Sequence, residues 1–153
     1  MFETPADALY VWVGLSLVSL AAVGVAVQLP TAAPPDAVGL AETVDAVAES
    51  DYPATAEYPS RADRVRIGTD RVWLRNDGGR TAATLVADAV PARTDRLRRV
   101  LHGADPEQEY ESRAAFETAL REAREADAEW RRTDGTVVVR RLYWGDQGVV
   151  LVG

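Results

Sequence analysis

The longest uncharged stretch of the chain places the strongest constraint on its fold. No charged residue lies between Asp7 and Asp36, and Ala8 to Leu29 within that stretch is one apolar run of 22 residues. At 1.5 Å of rise per residue, a helix over this run measures about 33 Å, and the hydrocarbon core of a bilayer is about 30 Å thick. Thr4 to Asp7, with Pro5 inside it, forms a capping box that favours a helix start at this point. The run therefore predicts a transmembrane helix after a short tail.

Two alternatives remain for the apolar run: a cleaved secretory signal and a buried core helix. A secretory signal has a basic start and an apolar core of about 7 to 15 residues. Here only Glu3 and Asp7 precede the run, and the first basic residue of the chain is Arg61. We expect a retained single-pass anchor in the cell membrane, with the C-terminal domain outside the cell.

Charge divides the rest of the chain. All 17 basic residues are arginine, the acids number 24, and the net charge is −7, a composition that resembles proteins of extremely halophilic archaea. Residues 36–60 hold six acids and no base, whereas residues 61–153 hold 16 acids and 17 arginines. We therefore divide the chain into a tail and transmembrane helix (1–29), a Pro-rich acidic stalk with a short helix (30–60) and a nearly neutral extracytoplasmic α+β domain (61–153).

Hydrophobic residues alternate from Ala62 onward, which indicates strands. Asn76 to Gly79 is a strong hairpin turn within a predicted three-stranded meander. A capping box at Asp105 opens a helix that we expect to continue to about Ala128, with Phe116, Leu120 and Ala123 pointing inward. Strands and helices are segregated along the chain, which is typical of α+β domains. The predicted fold is an N-terminal transmembrane helix followed by a small antiparallel sheet of about five strands, with two or three helices on one face. The predicted strands are Arg64–Gly68, Arg71–Arg75, Thr81–Ala87, Thr136–Trp144 and Gly148–Val152, and the predicted helices of the stalk and domain are Gly39–Ser50, Thr94–Leu101 and Asp105–Ala128.

The residues that usually carry catalysis are scarce. The chain has no cysteine and one histidine, which excludes thiol catalysis and Cys/His zinc sites within one chain. His102 ends a predicted helix, where an imidazole complements the helix dipole. Asp77 and Asp146 could act as a carboxylate pair only if they converged in a cleft. We expect a protein that is not an enzyme, with no catalytic, cofactor-binding or metal-binding residues.

Two charged clusters have simple structural explanations. The acids from Asp105 to Glu111 fall in the first turns of a predicted helix and lack the spacing of a calcium loop. The arginines from Arg93 to Arg99 are interrupted by Asp95 and lack an accompanying aromatic series, so we expect no nucleic-acid binding. Among the aromatic residues, Trp144 on the C-terminal hairpin is a candidate contact surface.

Small residues recur along one side of the apolar run. Such a stripe allows close packing of membrane helices and would permit an oligomer through the span. The alternative is that small side chains are merely tolerated in lipid. The predicted helix-packing face consists of Ser16, Ser19, Ala22 and Ala26.

Two segments are similar to an uncharacterised haloarchaeal family of single-span membrane proteins. They are RVWLRNDGG, at Arg71 to Gly79, and RRLYWGDQGVVLVG, at Arg140 to Gly153. Genes of that family lie among those of type IV pilus-like assemblies, and the layout of one apolar helix before a sheet domain resembles type IV pilin-like proteins. The resemblance implies other membrane or pilus-assembly proteins as partners. Substrates of the prepilin peptidase carry a basic residue before the cleavage site, and none precedes this span, so we expect an intact anchor.

The leading hypothesis is a non-enzymatic, membrane-anchored envelope protein that serves as an accessory or minor pilin-like component of a haloarchaeal type IV pilus-like system. The alternative is a single-span extracytoplasmic ligand-binding or sensor domain. That alternative requires a deep pocket with convergent polar groups.

Overall fold

The computed structural model describes residues 12–19 and 32–153. The chain divides into two compact units, Met1–Thr31 and Ala32–Gly153. In the first unit, residues 12–19 are helical and exposed, a length of about 12 Å. Within the two described ranges, no helix combines the length and the apolar character needed to cross a membrane. The other residues of the predicted span, 8–11 and 20–29, lie outside the described residues.

Residues 32–153 form four helices and eight strands. The helices are α1 (Ala37–Ala48), α2 (Asp95–Leu101), α3 (Pro106–Glu109) and α4 (Arg113–Glu125). The strands are β1 (Ala54–Pro59), β2 (Arg64–Ile67), β3 (Arg71–Asn76), β4 (Gly79–Thr84), β5 (Val90–Pro91), β6 (Arg131–Arg132), β7 (Thr136–Trp144) and β8 (Gln147–Val152).

The strands form two sheets of four. Sheet 1 has the order β1-β7-β8-β5, and sheet 2 has the order β4-β3-β2-β6. Neighbouring strands are antiparallel throughout, except that β5 runs parallel to β8. Each sheet therefore joins strands that are distant in the chain, such as β1 with β7 and β2 with β6.

The predicted fold class, a transmembrane helix followed by one antiparallel sheet of about five strands, is wrong. The predicted meander and C-terminal hairpin do form, but they belong to different sheets. Strands β5 and β6 are two residues long, too short to produce a detectable alternation, and β1 lies in the stretch interpreted as a stalk. Of the helix assigned to the membrane, only residues 12–19 are described, and within the described residues no helix is long and apolar enough to span a membrane.

Helix α1 lies between the two sheets. It contacts β3 and β4 of sheet 2 and β1, β7 and β8 of sheet 1. Its apolar face is fully buried, with Leu40 and Val44 at 0% exposure. Residues 37–59, which the sequence predicts to be part of a stalk, thus supply a central helix and an edge strand to the folded unit.

Asp36 and Asp45 hold α1 in place through backbone N–H groups. The Asp36 carboxylate accepts a hydrogen bond from the Gly39 N–H at 3.0 Å, so the helix begins at Ala37, two residues earlier than predicted. One Asp45 carboxylate oxygen accepts hydrogen bonds from the N–H groups of Val86 and Ala87, both at 3.0 Å. Asp45 thereby ties the helix to the loop that follows β4.

Sheet 1 separates two apolar cores. Alternate residues of β7, such as Val137 and Val139, face the core that contains α1 and the inner face of sheet 2. Val138 and Leu142 face the opposite way, into a second core formed with α2, α3 and α4. Both faces of this sheet are therefore covered.

The predicted long helix from Asp105 is interrupted. Tyr110 adopts an extended conformation (φ −127°) after α3, and Ser112 caps α4 by accepting a hydrogen bond from the Ala115 N–H. The Tyr110 ring is buried against Phe116, with ring centroids 5.1 Å apart. The helical hydrogen bonds are thus interrupted between α3 and α4 at the residue whose aromatic ring is buried in the second core. The prediction that Phe116, Leu120 and Ala123 point inward is confirmed.

The segment before α1 packs on the β3–β4 hairpin. Asn76 Nδ2 donates to the Ala33 carbonyl at 2.9 Å, and Thr81 Oγ1 donates to the Pro35 carbonyl at 2.6 Å. The backbone of Ala32 passes so close to Gly78 that a Cβ there would overlap the Ala32 carbonyl oxygen. The hairpin predicted at Asn76 to Gly79 is confirmed, and its glycine leaves room for the entering chain.

Shortening a buried side chain of α1 tests its role at the centre of the fold. We expect Leu40→Ala to lower the free energy of unfolding by about 2–5 kcal/mol, because it removes packing and leaves a cavity. Val38→Ala is the matched control, since Val38 lies on the same helix and is 58% exposed; its effect should stay within about 0.5 kcal/mol. Urea unfolding of the full chain measures both. Equal effects would contradict the position of α1 between the sheets.

Adding a methyl group at Gly78 tests the close approach of the entering chain. We expect Gly78→Ala to destabilise the domain by about 1–3 kcal/mol, because the new Cβ overlaps the Ala32 backbone. Asp77→Ala, at the exposed neighbouring turn position, should have little effect. Thermal unfolding of the two variants provides the comparison, and a neutral Gly78→Ala would show that residues 32–33 do not pack there.

Candidate functional site

A cleft between strands of both sheets and α2 has a volume of about 600 Å³. Five strands contribute to its walls, β1, β2, β5, β6 and β7, together with the C-terminal end of α2. The apolar part of its lining comes from Val65, Ile67 and Val138, whose side chains are at most 9% exposed. Around this apolar part, the cleft combines arginines, carboxylates and a threonine.

Four arginines line this cleft: Arg132, which also belongs to the outer face of sheet 2, and Arg93, Arg98 and Arg131. Arg93 follows β5, Arg98 lies on α2, and Arg131 lies on β6. The pairing of β6 with β2, in which Arg131 lies opposite Val65, brings the last of these to the cleft. Three separate elements thus place positive charge at one site.

These arginines differ in how many of their N–H donors bind acceptors of the protein itself. Arg93 donates hydrogen bonds of 2.7 to 3.0 Å to carbonyls at the C-terminal end of α4, those of Ala123, Ala126 and Asp127. Because these carbonyls have no partner within the helix, Arg93 acts as a helix cap.

Arg98 and Arg131 are less fully engaged. Arg98 pairs with Asp95 and donates to the Arg93 carbonyl. Arg131 makes a single hydrogen bond, from Nη1 to the Ala92 carbonyl at 3.2 Å, and forms no ion pair with the described residues. Most of the Arg131 donors therefore stay available to a ligand.

The electrostatic environment of Arg131 favours an anion. Partial burial of its guanidinium lowers the pKa of Arg131, and the positive charges of Arg98 and Arg93 lower it further. An anion between these groups would relieve the repulsion and supply hydrogen-bond acceptors. Carboxylates and phosphates match the planar fork of an arginine, so the cleft is suited to binding such groups.

The rim of the cleft carries further polar groups. The carboxylates of Glu57, Glu129 and Asp134 line it, together with Thr133 and His102. His102 is the C-cap of α2, and its N–H donates to the Arg98 carbonyl, so the predicted position of this histidine at a helix end is confirmed. These groups can accept hydrogen bonds from a ligand that also carries donors.

The arginine cluster predicted from the sequence divides in the structure. Arg93 and Arg98 meet in the cleft, whereas Arg99 pairs with Glu109 at 2.7 Å and Arg96 lies 5.9 Å from the Tyr110 ring centroid. Sequence reasoning missed Arg131, because a strand of two residues shows no periodicity.

The acidic residues predicted to have structural roles do have them. Asp105 caps α3 by accepting from the Glu107 N–H, and Glu109 forms the ion pair with Arg99. Across residues 12–19 and 32–153, no group of three potential ligands is placed to hold a metal ion. Asp77 and Asp146 lie in turns of different sheets, and Asp146 pairs with Arg113 at 3.0 Å.

The remaining predicted site residues are only partly described. Ser16 and Ser19 are exposed on the helical segment, and their hydroxyls donate at 2.8 Å to the carbonyls four residues earlier. Ala22 and Ala26 lie outside the described residues, so the helix-packing face stays a prediction. Trp144 is half-buried against Phe116, with ring centroids 5.5 Å apart, and lines a second groove beside α4.

Comparison with known proteins identifies a family without assigning an activity. No curated protein matches the chain, and no solved structure matches it. A model of a family of unknown function, DUF7283, matches residues 3–142. Since this match covers most of the sequence, the chain belongs to the DUF7283 family.

Proposed function

We propose that residues 32–153 form a binding domain for a small anionic ligand, which Arg131 and Arg98 hold in the cleft. The observation that supports this proposal is the convergence of the Arg93, Arg98 and Arg131 guanidinium groups, of which that of Arg131 has most of its donors free. Like charges brought together repel one another, and a bound anion would remove that cost.

The cleft also indicates the chemistry of the ligand. Its volume of about 600 Å³ falls within the range of small-molecule sites. Val65, Ile67 and Val138 offer an apolar surface beside the arginines, so a carboxylate or phosphate attached to an apolar body fits better than a bare inorganic ion. Glu57 and Asp134 at the rim would accept hydrogen bonds from hydroxyl or amino groups of the same ligand.

The ligand-binding alternative requires a deep pocket with convergent polar groups, and the convergent arginines of this cleft support its second condition. The envelope location, the membrane partner and the role in a pilus-like system stay predictions. They are compatible with a binding domain, because an accessory surface protein can present such a domain.

Removing the freest arginine tests the proposal. We expect Arg131→Gln to weaken binding of the best anion by about ten- to a hundredfold, because a charge-assisted hydrogen bond contributes about 1.5–3 kcal/mol. The probes are inorganic phosphate, sulfate, citrate and benzoate, measured by isothermal titration calorimetry. A saturating anion at about 100 times its Kd should also raise the free energy of unfolding by about 2.7 kcal/mol.

Two further variants distinguish anion binding in the cleft from a general effect of positive charge. Arg98→Gln should also weaken binding, whereas Arg124→Gln should not, because Arg124 is exposed on α4 outside the cleft. Arg93 is unsuitable as a probe because it caps α4. If no anion binds, or if all three variants bind as the unchanged chain does, the proposal is wrong.

A further inference from the structure

The outer face of sheet 2 concentrates positive charge. Strands β2 and β3 alternate between buried apolar residues, such as Val65 and Leu74, and residues that face away from the core. Most of the outward positions are arginine, and all of these arginines are exposed except the half-buried Arg66. This arginine face consists of Arg64, Arg66, Arg71, Arg75, Arg80 and Arg132.

Four of these arginines form one row across the sheet. In the strand register, Arg80 lies opposite Arg75, Arg75 opposite Arg64, and Arg64 opposite Arg132. Adjacent strands are about 4.8 Å apart, so the row extends over about 14 Å. Every strand of the sheet contributes one positive charge to it.

No carboxylate on the face offsets this charge. The other outward strand positions hold Trp73, Ala82 and Thr84. None of the ion pairs found within residues 32–153 includes an arginine of the face. Like charges directly opposite each other in a sheet are destabilising, so the row carries a cost in the free protein that a bound polyanion would offset.

Two tryptophans accompany the arginines. Arg66 lies over the Trp73 ring at 4.7 Å from its centroid, and Arg80 lies 5.5 Å from the Trp130 centroid. Trp73 stands on a central strand, directly opposite Arg66 in the register. Its ring reaches to within 3.4 Å of a Cβ built at Gly68, so the ring extends toward the residue that follows β2. Both tryptophans are half-buried.

The surroundings of the face narrow the choice of partner. Anionic membranes are bound by basic residues together with apolar side chains that insert among the lipids. On this face Ala82 and Thr84 are too small to insert, and the half-buried rings of Trp73 and Trp130 lie against Arg66 and Arg80. Duplex grooves admit a helix or a two-stranded ribbon, whereas this face is four strands wide. Arginines beside stacked aromatic rings on an open sheet are instead suited to phosphates and unpaired bases.

We propose that the arginine face binds single-stranded nucleic acid, with phosphates along the Arg80–Arg75–Arg64–Arg132 row and a base stacked at Trp73 and Arg66. The chain has a net charge of −7, so the surface away from the arginine face and the cleft repels a polyanion on average. The proposal is independent of the cleft, although Arg132 also lines the cleft rim. The test therefore uses Arg64 and Arg75.

Fluorescence anisotropy of a labelled oligothymidylate of about 12 nucleotides, within the usual site size, measures binding by the full chain. We expect binding at low salt that weakens as salt rises. The combined change Arg64→Gln and Arg75→Gln should lower affinity at least tenfold and reduce the slope of log K against log salt by about 1.4, or about 0.7 for each lost contact. Arg75→Gln alone should give about half that change in slope.

A matched pair of surface arginines is the control. Arg121→Gln with Arg124→Gln removes the same charge from the exposed side of α4 and should leave affinity within twofold. Trp73→Leu should lower affinity several-fold without changing the salt slope, because stacking releases no counterions. Circular dichroism of each variant checks that the fold is retained.

Several results would overturn the proposal. One is the absence of binding at low ionic strength by the unchanged chain. Another is an equal loss of affinity in the row and control variants. A third is that the chain binds heparin or vesicles rich in phosphatidylserine as tightly as it binds the oligonucleotide, and that Trp73→Leu changes none of these affinities. That result would show attraction to any polyanion.

Discussion

The burial of α1 between the two sheets is the interaction on which the rest of the structure depends. Leu40 and Val44 are completely removed from water, and α1 contacts strands of both sheets. This one helix covers the inner face of sheet 2, around Val72 and Leu74, as well as one face of sheet 1. Burial of apolar surface is the dominant favourable term in folding, so a helix that covers two sheets at once contributes to the stability of both. Asp45, which binds two N–H groups of the loop after β4, adds a polar contact to the same arrangement.

Both candidate binding surfaces follow from this arrangement. Because the inner side of sheet 2 is committed to the core, strict alternation along β2 and β3 sends Arg64, Arg66 and Arg75 to the outside. The edge strand β6 then extends the row with Arg132 and brings Arg131 to the cleft. A small ligand in the cleft and a polyanion on the face would thus be bound on either side of one short strand.

Part of this structure could be predicted from the sequence. The alternation at Arg64–Ile67, the turn at Asn76–Gly79 and the apolar face of α4 are local patterns, and each appears where it was predicted. The division into two sheets could not be predicted, because it depends on pairings such as Ala54 with Arg141 and Arg64 with Arg132, which are far apart in the chain. The arginine row was missed for the same reason. Each strand shows one or two ordinary exposed arginines, and only the register places four of them side by side. The stalk was assigned from its acidity and prolines, whereas the buried positions of α1 decided its place in the fold.

Native-state hydrogen exchange of the full chain tests the central claim most directly. If α1 holds the two sheets together, its amides should exchange only through the global unfolding that also exposes β3 and β7. The free energy of opening should then be the same for the amides of all three elements at every denaturant concentration. The central amides of α1, such as those of Val44 and Val47, are the ones to follow. Exchange of these amides at a markedly lower free energy, while β3 and β7 stay protected, would show that the sheets are stable without the helix and would contradict the account.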